Sequence, residues 1–256
     1  MQHRPRKRFG QHFLHDQRII GKILASIAPR PGDTLVEIGP GLGAITLPLL
    51  ERCGALTAIE LDRDVIPELQ AAAADRGRLH IVQADALKTE LAPLAPAGGK
   101  LRLVGNLPYN ISTPLLFRFL EQSACIQDMH FMLQKEVVDR MAAAPGGKEY
   151  GRLTVMLAAR CKVEKLFNIG SGAFRPPPKV ESSFVRLTPC PSAPFPVGDQ
   201  ERYGHIVTAA FSHRRKTLRN ALAGLVDEAA IRAAGIDPQA RPETLTAEDY
   251  SRLASH

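Results

Sequence analysis

The run Val36-Glu37-Ile38-Gly39-Pro40-Gly41-Leu42-Gly43 constrains this chain more than any other stretch. An apolar strand meets three alternating glycines, so the chain must turn sharply and leave bare backbone open to a ligand. Glu60, 21 positions beyond Gly39, ends the next apolar run. A carboxylate there can accept hydrogen bonds from both hydroxyls of a ribose, the service of the acidic residue about 20 positions after a glycine fingerprint. The same glycines would also suit a plain strand-to-helix turn. Gly39, Gly41 and Ala44 fit the G-x-G-x-x-G/A dinucleotide pattern as well, so a dehydrogenase stays open at this point.

From Thr34 to Phe131 short apolar runs alternate with helical patterns, the signature of a parallel sheet with crossover helices. Strands are predicted at Thr34 to Ile38, Leu56 to Glu60, Leu79 to Gln83, Leu101 to Val104 and Met129 to Leu133. Ser112, Thr113 and Pro114 form a helix start, and another helix follows Gln134. Extended stretches at Cys161 to Phe167 and Ser183 to Leu187 bring the sheet to about seven strands. Pro189, Pro191, Pro194 and Pro196 then interrupt any regular element. Beyond them Leu218, Ala221, Leu222 and Leu225 repeat at the spacing of one helix face. The expected organisation is a main domain over 1–188, a Pro-rich linker over 189–196 and a small helical domain over 197–256.

Of the 256 residues 45% are hydrophobic and 23% charged, and no apolar stretch approaches the roughly 18 residues of a membrane span. Cys53, Cys125, Cys161 and Cys190 are too scattered for a zinc site or a disulfide scaffold and read as free thiols in a reducing compartment. Arg4, Arg6, Lys7 and Arg8 are not followed by the apolar region of a secretory signal, so a cytoplasmic protein is expected. The net charge of +7 suits a polyanionic partner.

Asp85 follows the third strand, at the carboxyl edge where open sheets bind ligands, and can accept a hydrogen bond from an adenine amino group. An isolated Asp there would otherwise cap a helix or turn. Asn106-Leu107-Pro108-Tyr109 follows the fourth strand and separates the candidate chemistries, because a dehydrogenase has no need of it. The exocyclic amine of adenine is a poor nucleophile, its lone pair being delocalised into the ring, so an alkylating enzyme must align that lone pair with the incoming methyl. The Asn106 oxygen and the Leu107 carbonyl can each accept an N–H from the amine, Pro108 holds that carbonyl rigidly, and Tyr109 offers an aromatic face.

With these motifs together, the chain resembles the small-subunit ribosomal RNA adenine dimethyltransferase family nearly end to end. The likeness also covers Lys7 to Leu14, His130 to Glu136 and Phe174-Arg175-Pro176-Pro177-Pro178-Lys179-Val180-Glu181-Ser182. It implies a doubly wound, mostly parallel, Rossmann-like methyltransferase sheet with a small C-terminal all-α domain. It further implies S-adenosylmethionine as methyl donor, with Gln11, His12 and Leu14 near its methionine end, and dimethylation of two adjacent adenosines near the 3′ end of small-subunit ribosomal RNA. The family usually has Asn where His12 stands. Read without the resemblance, Gln11 to Leu14 would be a solvated arm packing on the core. Phe174, ahead of three prolines, is expected beside the target base, with a core Phe as the alternative.

Arg214, Arg215, Lys216 and Arg219 make a compact cationic patch for RNA phosphates, unless they are a solvated face. The expected partner is ribosomal RNA within an immature small subunit, with no membrane, metal or obligate protein partner. Rival readings are methylation of adenine in large-subunit RNA or DNA, a non-catalytic assembly factor, and the dehydrogenase.

Overall fold

The computed structural model describes residues 12–256. The described chain runs β1 (Phe13–Leu14), α1 (Gln17–Ile27), β2 (Thr34–Ile38), α2 (Thr46–Cys53), β3 (Ala55–Glu60), α3 (Ile66–Ala73) and β4 (Arg78–Gln83). It continues through β5 (Leu101–Asn106), α4 (Ser112–Glu121), β6 (Ile126–Gln134), α5 (Lys135–Met141), α6 (Arg152–Ala158), β7 (Cys161–Ile169), β8 (Phe174–Arg175) and β9 (Ser182–Pro189). The tail holds α7 (Gln200–Ser212), α8 (Leu218–Ala221), α9 (Glu228–Ala233) and α10 (Ala247–Ala254). Among the described residues no helix is long and apolar enough to cross a membrane.

Two compact units result, one of residues up to Val138 together with Glu164–Pro189, the other of Asp139–Val163 with Cys190–His256. The first contains a sheet of seven strands in the order β4-β3-β2-β5-β6-β9-β7. β2 pairs in parallel with both β3 and β5, β3 with β4, and β5 with β6, whereas β9 is antiparallel to β6. Leu35, Val36, Glu37 and Ile38 of β2 are all buried, as a strand covered on both faces requires. α1 begins at Asp16, whose carboxylate accepts from the Arg18 and Ile19 amides, and it buries Ile20, Ile23, Leu24 and Ile27. Its C-terminal end is fastened to β5 by Arg102, which donates to the Ile27 carbonyl and to Asp33 and Asp128.

Several expectations need correction. α4 starts at Ser112 as expected, but that hydroxyl caps no helix amide: it donates to the Tyr109 carbonyl, and Ile111 stands at the cap position. Pro189, expected to open the linker, is the last residue of β9 and so sits at a sheet terminus, where a missing N–H is tolerated. The helix expected from Leu218 to Leu225 stops at Ala221. Gly224 lies at φ 82°, a left-handed turn, and Asp227 caps a new helix by accepting from the Ala230 amide. The helical unit also takes in residues 139–163, which the Pro-rich segment gave no reason to assign to it. Its core joins Tyr150 and Val155 to Tyr203, Ile206, Leu218, Tyr250 and Leu253.

One close approach sets the distance between the strands that matter most. A Cβ on Gly105 would lie 2.4 Å from the Ile38 carbonyl oxygen across the β2–β5 pair. Backbone cannot yield there as a flexible side chain would. We predict that Gly105→Ala destabilises the protein by about 1–3 kcal/mol through forced strand displacement. Urea unfolding with an unchanged midpoint would contradict this.

Candidate active site

The order of β3 and β4 on one side of β2, with β5 on the other, makes a topological switch point between β2 and β5, where open sheets of this type bind ligands. Ile38 pairs with Gly105, so Gly39 and Asn106 emerge side by side at the carboxyl ends. A cavity of about 1010 Å³ opens there. It is lined by His12, Leu14, Gly39, Gly41, Glu60, Asp85, Asn106, Leu107, Pro108 and Tyr109, so one site unites all these residues singled out from the sequence. Gln11 lies outside the described residues.

Gly39, Gly41 and Gly43 all have positive φ, 66°, 54° and 88°. A Cβ on Gly41 would come within 3.2 Å of the Phe13 ring, and one on Gly43 within 2.8 Å of Leu69. The glycines therefore serve both turn geometry and close packing. Glu60, 8% exposed, accepts from the Gly41 amide at 3.2 Å through Oε2 and from the Asp62 amide at 2.8 Å through Oε1. Burial raises its pKa, and these amide bonds oppose the rise. Each carboxylate oxygen keeps lone-pair capacity for a ribose hydroxyl. Asp85 accepts from the Leu87 amide at 2.9 Å, an Asx turn that fixes its carboxylate at the cavity edge. The turn role considered from sequence is the one present, and it leaves the carboxylate on the cavity lining.

Asn106 shows its orientation through its partner. Its Nδ2 donates to the His12 carbonyl at 3.1 Å. A carbonyl can only accept, so the amide nitrogen must face it and Oδ1 remains for another donor. Leu107 donates its N–H to the Met132 carbonyl at 3.2 Å, and Ile111 N–H closes the turn on the Pro108 carbonyl at 3.1 Å. Tyr109 shares a 2.7 Å hydrogen bond with Ser182 of β9, and its pKa is raised by burial. The His12 ring stacks beside Tyr109 with centroids 6.0 Å apart, while its Nδ1 bonds the Pro176 carbonyl at 2.8 Å.

Phe174 is placed differently from the expectation. It is 1% exposed, belongs to the hydrophobic core, and does not line the cavity. The reason is register: β8 pairs with β1, Leu14 opposite Phe174, which turns this ring inward with Leu14. Phe174 is therefore a core residue, the alternative that its sequence also allowed.

Sequence reasoning missed Glu37. It is 2% exposed yet lines the cavity, and Oε2 has no hydrogen-bond partner among the described residues. Burial lifts its pKa to about 7, the Thr46 hydroxyl opposing and Glu60 adding to the rise. A glutamate inside an otherwise apolar central strand was the available signal. His130, its pKa pushed down to about 4 by burial, lies on β6 and outside the cavity lining.

The cationic patch belongs to the helical unit, where its members differ. Arg214 donates to the Lys148 and Gly147 carbonyls at 2.9 and 3.0 Å, and Arg219 pairs with Glu228 at 3.4 Å. Arg215 and Lys216 are exposed. Arg214 thus ties down a loop, leaving Arg215 and Lys216 as the better placed cations.

A mostly parallel sheet with a glycine-turn cavity at its switch point and a carboxylate ending the neighbouring strand defines a nucleotide-binding enzyme of the doubly wound class. The chain belongs to the ribosomal RNA adenine dimethylase family, whose model matches residues 2–256. Proteins named ribosomal RNA small subunit methyltransferase A are similar along nearly their whole length. The one from Acinetobacter baylyi is 54% identical over 98% of this chain and 92% of its own. The one from Xylella fastidiosa is 56% identical over 98% and 95%. Among solved structures, a dimethyladenosine transferase from Plasmodium falciparum superposes with a TM-score of 0.79 at 26% identity, covering 94% of this chain and 96% of that one. The 23S rRNA methyltransferase ErmE gives 0.73 at 26% identity, covering 95% and 98%.

Glu37 generates a pH test. In the ligand-free protein its protonated form is favoured, so its stability contribution is full below the ordinary carboxylate range and is lost as pH rises through about 7. A cationic ligand reverses that preference by holding the carboxylate ionised. With S-adenosylmethionine as the cationic probe, we predict that any affinity for this cavity rises by up to about tenfold per pH unit below neutrality and levels off above it. Glu37→Gln flattens the profile. Calorimetric titration across this range checks both, and a wild-type profile in Glu37→Gln would remove Glu37 from the site.

Proposed function

We propose that this chain transfers methyl groups from S-adenosylmethionine to N6 of two adjacent adenosines near the 3′ end of small-subunit ribosomal RNA, acting in the cytoplasm during subunit assembly. The observation that carries this reading is the fixed amide of Asn106, its Nδ2 held by His12 and its oxygen left to accept, at the rim of an acidic cavity. Family membership agrees with it.

The residues fit the cofactor. Glu60, Asp62 and Asp85, joined by Glu37 once a cation ionises it, give the cavity a negative lining that suits a sulfonium and an ammonium group. The same lining opposes the two negative charges of a dinucleotide pyrophosphate beside the glycine turn, which disfavours the dehydrogenase. In this reading Glu60 holds the ribose, Asp85 the adenine amine, and the backbone around His12 and Leu14 the methionine end. When bound, S-adenosylmethionine supplies an electrophilic methyl group.

The chain's own part is alignment. Asn106 Oδ1 and the Leu107 carbonyl accept the two N–H bonds of the target amine, which keeps its lone pair directed out of the base plane toward the methyl donor. Tyr109, held by Ser182, stacks on the base. No side chain need act as base before transfer, because alkylation itself makes the amine proton acidic enough to leave for solvent. The helical unit supplies RNA contacts through Arg215 and Lys216.

The large-subunit reading keeps one support, the similarity of the fold to ErmE, but relatives at 54% and 56% identity carry the small-subunit name. An assembly factor without catalysis would not need Asn106 so held. The reading is tested by incubating the purified protein and S-adenosylmethionine with small and large subunits lacking the modification, then locating dimethyladenosine by mass spectrometry. Dimethylation of small-subunit RNA is expected. Methylation of large-subunit RNA alone, or none, would refute it.

Two variants divide the labour. Asn106→Ala should slow single-turnover methylation by about a hundredfold through lost alignment, with RNA affinity unchanged. A wild-type rate would rule out the alignment role. Replacing Arg215 and Lys216 by alanine, with Arg214 kept for its loop, should reduce the slope of log affinity against log salt by about 0.7–0.9 for each phosphate no longer neutralised. Binding measured across a salt series that gave an unaltered slope would show a solvated face instead.

A further inference from the structure

The 174–181 segment carries a charge that alignment of the amine does not use. β8 is two residues long, and alternation along it sends successive side chains to opposite faces. Phe174 takes the inward face and is buried, so Arg175 takes the outward one, where it is exposed and lines the same cavity. Its register partner is Phe13, which covers the glycine turn, and the next residue, Pro176, receives the His12 hydrogen bond.

The charge distribution around the cavity is uneven. Glu37, Glu60, Asp62 and Asp85 come from the β2, β3 and β4 side. Toward Tyr109 the lining is neutral, formed by Asn106, Leu107, Pro108, Asn110 and Met132, until Arg175 is reached. Arg76, the other Arg or Lys among the described lining residues, is ion-paired with Glu51. Arg175 makes no ion pair with a described residue. Lys179 adds a second exposed cation four positions along the same segment.

An adenine reaches Tyr109 only if its nucleotide leaves the stack, and its ribose then holds a phosphate at the cavity mouth. We propose that Arg175 binds that backbone phosphate, fixing the extruded nucleotide so that its base, rather than a free adenine, is what the site aligns. A guanidinium suits this task because its planar fork matches two phosphate oxygens at once. The inference rests on the adenine-methylating reading of the site. It makes Arg175 a substrate-binding residue, next in the chain to Pro176, whose carbonyl bonds the His12 ring that stacks beside Tyr109.

The test compares wild type, Arg175→Ala and Arg175→Lys on small subunits lacking the modification, with S-adenosylmethionine titrated separately. Arg175→Ala should raise KM for RNA about tenfold with kcat within about threefold, and reduce the salt slope by about 0.7–0.9. Arg175→Lys should recover most of the slope but less of the affinity, since a point charge replaces the fork. Affinity for S-adenosylmethionine should stay within about twofold, which also reports that the variants are folded. An unchanged KM and salt slope in Arg175→Ala would overturn the inference. So would a loss of cofactor affinity at unchanged thermal stability, which would assign the guanidinium to the cofactor carboxylate. Wild-type failure to methylate these subunits would instead refute the functional reading and this inference together.

Discussion

The pairing of β2 with β5 is the constraint on which the site depends. Both strands run the same way and end level, Ile38 beside Gly105, so two loops from distant parts of the sequence leave the sheet as neighbours. Hydrogen bonding fixes the register, and the absence of a side chain at Gly105 permits the approach. One loop is built from glycines and presents backbone; the other begins with Asn106 and presents acceptors. A sheet whose strand order did not reverse at this point would separate them.

Around that junction the electrostatics change from one side to the other. Buried carboxylates gather under the glycine turn, and Glu37, with an unpartnered oxygen and a pKa near neutrality, is the group most dependent on a cation for its charged form. On the Asn106 side the groups are neutral and held by hydrogen bonds of definite direction: Nδ2 to the His12 carbonyl, the Tyr109 hydroxyl to Ser182, the Leu107 amide to Met132. Such preorganisation suits a reaction that needs geometry more than proton transfer.

The strands were legible because apolar runs in a doubly covered sheet are nearly continuous; Thr34–Ile38 was placed to the residue. Gly39, Glu60, Asp85 and Asn106 were legible because each follows or ends such a run, and chain order alone puts strand ends at one edge. What escaped was set by contacts between remote segments. Phe174 faces the core because β8 pairs with β1, some 160 positions away. Arg214 is spent on carbonyls at 147 and 148, and residues 139–163 join the tail through packing of Tyr150 and Val155 that no local pattern announces. The short α8 escaped for a different reason: Leu218, Ala221, Leu222 and Leu225 keep helical spacing, but Gly224 breaks the chain's direction between them.

The central claim is that the Asn106 amide is preset to accept from an adenine N6. A crystal structure with S-adenosylhomocysteine and an RNA fragment carrying the target adenosine tests it most directly. The account predicts Oδ1 within about 3 Å of N6, with Nδ2 still on the His12 carbonyl and the base against Tyr109. An adenine bound with N6 turned away from Asn106, or an amide flipped so that Nδ2 faces the base, would contradict it.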